Sequence, residues 1–382
     1  MKTFISKAKS FNLRHSCFQS LKRILRHSYL QILKHTLRYI LTLSLVLSLG
    51  LSLLLTGCSD KSKYAGHGFE YMNGYSSTDF ADYTVYSKNS KLATLSEPPT
   101  LWIENEADMP KLDGAEACYP LYAAFAKATY ANIDAIELDF HENGELQINN
   151  GKIVTFTNTI RGFYRLIEEE EGDYPVDIFF GARASADQLQ DAAAFGVELE
   201  SVPIAREAFI FFVEADNPVD NLTTEQFRAI YHGDITNWKE VGGKNQTIVA
   251  FQRPANSGSQ TMMEYFMGDV SLMEPKTYQV VDAMSGVIDM VAQYANEKGA
   301  LGYSFRYFLE ELQQETNVKM LSIDGVYPSL ENIENGTYPL VTSVCAITRK
   351  DEPNPYVQEM IDFILSDQGQ DLIRQTGYAG IK

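Results

Sequence analysis

The 382-residue sequence predicts an α/β fold, and three observations carry that expectation. From Leu101 onward, short apolar runs alternate with segments of helical spacing. The run Ala208-Phe209-Ile210-Phe211-Phe212-Val213 is apolar throughout, as a strand covered on both sheet faces requires. The run at 247–251 leads through an arginine and a Ser-Gly-Ser loop into a helix starting near Met262, a strand-to-helix handover.

Residues 1–58 stand apart from this body. They hold nine Lys/Arg and no Asp/Glu, and their basic stretch ends at Arg38. A largely apolar run follows over 40–55, then Leu55-Thr56-Gly57-Cys58. A basic region, an apolar region and a small-residue boundary describe a secretory signal. The boundary resembles a bacterial lipobox, which implies cleavage before Cys58 and a lipid on its thiol. The alternative is an uncleaved membrane anchor, for which the apolar run is short. Either way the body is expected on the extracytoplasmic face of the cell membrane.

The formal net charge of −18 hides a sharper imbalance. Without residues 1–58, 23 of the 32 basic residues remain against all 50 acidic ones, a net charge of −27. Such a body excludes nucleic acid as a partner, and any anion site must be a local positive pocket. Of the four cysteines, Cys17 leaves with the leader and Cys58 is the expected lipid site. Cys118 and Cys345 remain, either paired in an exported protein or buried as free thiols; their apolar surroundings favour thiols. No Cys/His spacing suggests a metal, and no cofactor motif is present.

Taken in order, 59–82 reads as a polar tether and 83–95 as a small hairpin turning at Lys88-Asn89-Ser90. Helices are expected over 120–130, with Pro120 in the first turn, and over 160–171, ending in a solvated acidic run. A strand is expected at 176–180 and a helix at 186–195, stopped by Gly196. A Thr-capped helix starts near Thr224 and ends at His232-Gly233. Ile235-Thr236-Asn237-Trp238 forms a tight turn. A helix over 285–297, strands at 300–304, 338–341 and 343–348, and helices at 356–365 and 368–375 complete the chain.

The loop at 252–261 is the first candidate site. A strand-to-helix handover offers free backbone N–H groups and the positive end of a helix dipole. Arg253 adds a planar fork that binds two oxygens at once, Ser257 and Ser259 add hydroxyls, and Gly258 permits close backbone approach. The plainer reading is a serine-capped helix beside a surface arginine.

These stretches also fall in a recognisable order. Tyr231-His232-Gly233-Asp234-Ile235-Thr236-Asn237-Trp238, Arg253 with Ser257-Gly258-Ser259, and Gly299-Ala300-Leu301-Gly302-Tyr303 are followed by Ser366-Asp367-Gln368-Gly369-Gln370 and Gly377-Tyr378. The chain from about 110 to 380 thereby resembles the phosphate-binding lipoproteins of high-affinity phosphate ABC importers. The resemblance implies a two-domain type II periplasmic-binding-protein fold of mixed sheets with helices on both faces. It implies two hinge crossings, near 208–213 and 343–348. Domain one is then 97–208 plus the return segment 343–382, domain two is 209–342, and 59–96 is the tether and hairpin. A ligand would sit in the cleft between the domains, closed by a hinge motion.

By the same resemblance, Arg253, Ser257, Gly258 and Ser259 match the family's arginine and hydroxyl loop. Glu116 and Ala117 fall in its first motif, where Glu116 occupies a hydroxyl position. Thr157 and Thr159 match a second motif at a helix start, where simple capping is the alternative role. The family's proton-accepting Asp is missing from Phe180-Gly181-Ala182-Arg183-Ala184-Ser185, and Arg183 lies close by. Glu116 then has three possible roles: pairing with Arg183, accepting a phosphate proton, or binding an amine or hydroxyl of an organic ligand. A Glu116 turned to solvent is the fourth possibility.

The expected function is capture of phosphate or a related oxyanion by a lipid-anchored monomer that delivers it to ABC importer permease subunits. Alternatives are a small organic acid or zwitterion held by Glu116 and Arg183, or a surface interaction protein without transport. An enzyme is not expected, because His67, His141 and His232 lie near no nucleophile motif.

Overall fold

The structure, a computed structural model, describes residues 80–143, 151–157, 159–169, 174–253, 255–275, 288, 299–313 and 317–382. The leader, Cys58, nearly all of the tether and the expected helix at 285–297, apart from Ile288, lie outside the described residues. Among the described residues, no helix is long and apolar enough to cross a membrane.

The strands are β1 (Leu112–Gly114), β2 (Ile178–Gly181), β3 (Leu199–Glu214), β4 (Asn221–Leu222), β5 (Val249–Ala250), β6 (Ala300–Phe305), β7 (Val318–Met320), β8 (Ser322–Ile323) and β9 (Val341–Arg349). The helices are α1 (Tyr119–Thr129), α2 (Ile133–Asn143), α3 (Thr159–Ile167), α4 (Ala186–Phe195), α5 (Thr224–His232), α6 (Gly258–Met267), α7 (Leu330–Glu334), α8 (Tyr356–Leu365) and α9 (Asp367–Thr376). The main sheet runs β1-β2-β9-β3-β6-β5, with β7 also on β3. β1–β2 and β5–β6 are parallel, while β2–β9, β3–β9 and β3–β6 are antiparallel. The expected mixed α/β architecture is therefore the observed one.

Side chains alternate across this sheet, as strand geometry demands. Ile178 and Phe180 of β2, with Val344 and Ala346 of β9, enter a core that includes side chains of α1, α8 and α9. Phe179, Cys345 and Ile347 point the other way, to Phe163, Leu166 and Ile167 of α3 and Ala192 of α4. A further core gathers Ala208 to Val213 with α5, α6 and β6. Helices thus cover both faces of the β2–β9 region.

β3 is the longest strand and changes partners within its length. Leu199 to Ala208 pair with β9, with a bulge between Pro203 and Ala205, and Phe209 to Val213 pair with β6. Sequence periodicity shows only its apolar second half, because the first half carries Glu200, Pro203 and Glu207 and is held as strand by β9.

Local signals set several boundaries. Ser185 and Gln188 form a capping box at the start of α4, and Gly196 ends it at φ 79°. Thr223 and Gln226 do the same for α5, which stops at Gly233. Other boundaries differ from expectation. α3 ends at Ile167, so Glu168 and Glu169 lie beyond the helix. No strand forms over 83–95. Val85 and Leu92 are instead buried singly in the core beside α1, and a short 3-10 turn at Ala81–Tyr83 replaces the hairpin. Cys118 and Cys345 are buried free thiols. Burial pushes the Cys118 thiol up to about 12 and also raises Cys345.

Candidate functional site

α6 begins at Gly258, four residues before Met262, so the Ser-Gly-Ser loop is the helix's own N-terminus. Ser257 caps it by accepting a hydrogen bond from Gln260 N at 3.3 Å. Ser259 falls in the first turn and is fully buried, and its Oγ has no hydrogen-bond partner among the described residues. A buried hydroxyl in that state is costly unless something else meets it. Arg253 is buried just ahead of the helix. Its backbone N–H donates to Tyr303 Oη at 2.9 Å and to Gln260 Oε1 at 3.1 Å. The Tyr303 hydroxyl donates in turn to Gln260 Oε1. Burial raises the Tyr303 pKa, so the phenol stays neutral and holds this loop as a donor.

Opposite α6 stands the start of α3. A methyl on Gly258 would lie 3.5 Å from Thr159 Oγ1 and 3.8 Å from Ala182 Cβ. Thr159 is the first residue of α3 and Gly258 the first of α6, so the first residues of two helices lie side by side, with no side chain on Gly258 between them. Each terminus carries the positive end of its helix dipole. Ser185 Oγ, the cap of α4, donates to Asn256 Oδ1 at 2.6 Å and ties the loop after β2 to the turn before α6.

The other expected site residues distribute unevenly. Glu116 and Ala117 are buried in a 3-10 turn leading into α1. Ala117 O accepts from Tyr378 Oη at 2.7 Å, and Ala117 packs in the same core as Ala182 and the methionines of α6. Arg183 is exposed and forms no ion pair with Glu116 among the described residues. Burial raises the pKa of the buried Cys345 thiol, and the Arg183 charge instead acts on that thiol to lower it. Thr157 is buried, and both its N–H (2.9 Å) and its hydroxyl (2.7 Å) donate to Asp113. Its hydroxyl proton is therefore committed to the protein's own carboxylate. Among the described residues no group of His, Cys, Asp and Glu has metal-binding geometry.

Sequence reasoning missed Asp113, Arg165, Tyr303 and the Ser185–Asn256 contact. Asp113 opens the stretch 113–120 that matches the first motif, but no role was drawn from it. Arg165 and Tyr303 carry no local signal, since their partners lie 52 and 43–50 residues away.

The fold and these facing helix ends define an α/β protein of the periplasmic-binding class, and comparison with known proteins gives its family. The chain belongs to the PBP superfamily, whose domain matches residues 154–368. It is 27% identical over 184 residues to the phosphate-binding protein PstS of Borreliella burgdorferi, covering 47% of this chain and 64% of that one. It is 29% identical over 189 residues to PstS of Bacillus subtilis, covering 48% and 59%. The chain thus spans less than two thirds of the length of these relatives. A solved structure from Clostridium perfringens, assigned as a phosphate ABC transporter substrate-binding protein with bound phosphate, superposes with a TM-score of 0.52 at 23% identity. It covers 72% of this chain and 100% of its own, and the likeness is one of fold.

Proposed function

We propose that this protein captures phosphate, or a related tetrahedral oxyanion, and passes it to an ABC importer. The observation that carries this reading is the meeting of the α3 and α6 N-termini, at Thr159 and Gly258, beside the buried Ser259 hydroxyl and Arg253. Aligned N–H groups, hydroxyls and a guanidinium are what a desolvated oxyanion requires, and binding of this kind involves no chemistry. The ligand contacts would come from Arg253, Ser257, Gly258, Ser259 and Thr159, with Glu116 and Ala117 closing the α1 side. The names of the PstS relatives support phosphate as the ligand, and the ABC importer is the partner that the sequence resemblance implies.

The change of partners on β3 at 208/209 and the separate cores on either side of it support a division into 97–208 with 343–382, and 209–342. In this reading ligand binding draws the two parts together, with β3 and β9 as the crossings. Cys58 carries the lipid, and the body works as a monomer at the outer face of the membrane.

Titration calorimetry with inorganic phosphate, comparing wild type with Arg253→Ala and Arg253→Lys, tests the reading. A contact of this type is worth about 2–5 kcal/mol, so the alanine variant should bind at least thirtyfold more weakly while unfolding normally. Lysine should recover little, because the fork is lost. Wild-type affinity in Arg253→Ala would move the site elsewhere.

A further inference from the structure

Asp113 lies in β1 with no exposed surface, and protein donors surround its carboxylate. Oδ1 accepts from Gly114 N at 2.7 Å and Thr157 N at 2.9 Å. Oδ2 accepts from the Thr157 hydroxyl at 2.7 Å and pairs with Arg165 Nη1. The same Nη1 donates to Thr155 Oγ1 at 3.0 Å, and Thr155 Oγ1 donates to Leu112 O at 3.0 Å. One carboxylate therefore ties together β1 and the turn holding Glu116, the 155–157 segment, and α3 through Arg165. Gly162 is part of the arrangement: a methyl there would meet the Asp113 carboxyl carbon at 3.2 Å and the Phe179 ring at 2.9 Å. α3 packs this closely because it has glycine at that point.

A buried ion pair is a weak source of net stability, since desolvation offsets most of the attraction. Its use is better sought in what it fixes. Thr157 lies two positions in sequence before Thr159, the α3 residue beside Gly258. A buried carboxylate so near an anion site would also repel the anion if it stood alone.

We propose that Asp113 and Arg165 are positioning residues of the anion site. Asp113 anchors the 155–157 segment so that α3 opens toward Gly258, and Arg165 cancels the Asp113 charge that would otherwise oppose a bound oxyanion. Neither residue touches the ligand. The inference rests on the anion-binding reading of the site given above.

The test uses inorganic phosphate and the full-length protein in detergent, with thermal unfolding to verify folding. Arg165→Gln keeps an amide donor for Asp113 and Thr155 but removes the charge. It should weaken phosphate binding by roughly tenfold or more. The double variant Asp113→Asn with Arg165→Gln restores a neutral hydrogen-bonded pair and should return affinity to within about threefold of wild type. A purely structural role would make the double variant at least as defective as the single one, and that result overturns the proposal. Unchanged affinity in folded Arg165→Gln also overturns it. If Arg165→Gln does not fold, Arg165→Lys decides: the charge stays, the fork is lost, and binding should fall about threefold to tenfold. Wild-type affinity there sinks the orienting role. Wild type that binds no phosphate sinks the functional reading and this inference together, whereas binding that ignores every Arg165 change sinks the inference alone.

Discussion

Ser185 Oγ donates a 2.6 Å hydrogen bond to Asn256 Oδ1, joining the cap of α4 to the turn ahead of α6. Asn256 sits at φ 66°, a left-handed conformation that asparagine tolerates better than other non-glycine residues. Ser185 follows Ala182, and Asn256 precedes Gly258, and Ala182 lies beside Gly258, so the bond helps hold the start of α6 against the loop after β2. Asn256→Gly keeps the backbone conformation and deletes only the bond. It should weaken phosphate binding by about threefold to tenfold, the worth of one hydrogen bond. Asn256→Ala adds left-handed strain of about 1–2 kcal/mol and should also lower the unfolding temperature. Calorimetry and thermal melts separate the two effects, and equal phosphate affinity in wild type and Asn256→Gly would show the bond to be incidental.

Glu207 gives a pH prediction. It is buried on β3 beside the change of partners, and burial raises its pKa from 4.5 to about 7. Arg306 and the N–H groups of Ala208 (2.7 Å) and Tyr307 (3.2 Å) oppose that rise, while Glu310 adds to it. The folded state thus holds this proton more tightly than the unfolded chain. Stability from this group is fully present below about pH 4.5 and is lost as pH rises through about 7. The loss is on the order of 3 kcal/mol. Glu207→Gln should flatten that part of the profile, so urea unfolding at pH 5 and pH 8 should differ less in the variant than in wild type. Parallel profiles would place the titration elsewhere, for instance at Glu137 or Asp177, which burial also raises.

What was legible in the sequence was mostly local. α4 and α5 could be placed because their stop and start signals are neighbours: Ser185 with Gln188, Thr223 with Gln226, Gly196 and Gly233. The Ser257-Gly258-Ser259 loop was legible for the same reason, since a cap and a first turn are written within four residues. Contacts made by the fold were not legible. Leu199 to Glu207 reads as a poor strand until β9 pairs with it. Val85 and Leu92 mimic a hairpin pattern, yet each is buried by distant parts of the core. Asp113 and Arg165 meet only because β1 and α3 pack, while Glu116 and Arg183, matched by charge alone, form no ion pair among the described residues.

The lipid prediction concerns the leader. Metabolic lipid labelling should mark the wild-type protein, and Cys58→Ser should abolish the label and leave residues 1–57 attached. An unlabelled wild type that retains its leader favours the uncleaved anchor.

Gly258 offers the most direct test of where the ligand lies. A methyl at this position meets Thr159 Oγ1 at 3.5 Å, Thr159 Cγ2 at 3.7 Å and Ala182 Cβ at 3.8 Å, all ordinary van der Waals distances. Gly258→Ala therefore requires no rearrangement. Because alanine has less backbone freedom to lose on folding, the variant should unfold at the same temperature as wild type or slightly higher, a gain of about 0.4–1 kcal/mol at most. The added methyl, however, occupies the space between Thr159 and the α6 N-terminus, beside the buried Ser259 hydroxyl where the proposed oxyanion would bind. Phosphate affinity should fall by roughly a hundredfold, about 2.7 kcal/mol. In a thermal-shift assay, phosphate at a hundred times the wild-type Kd stabilises wild type by about 2.7 kcal/mol and the variant by less than about 0.5 kcal/mol. A stable Gly258→Ala that still shows the full phosphate shift would mean that the anion does not lie between these two helix ends, and the site would have to be sought on the Glu116 side alone.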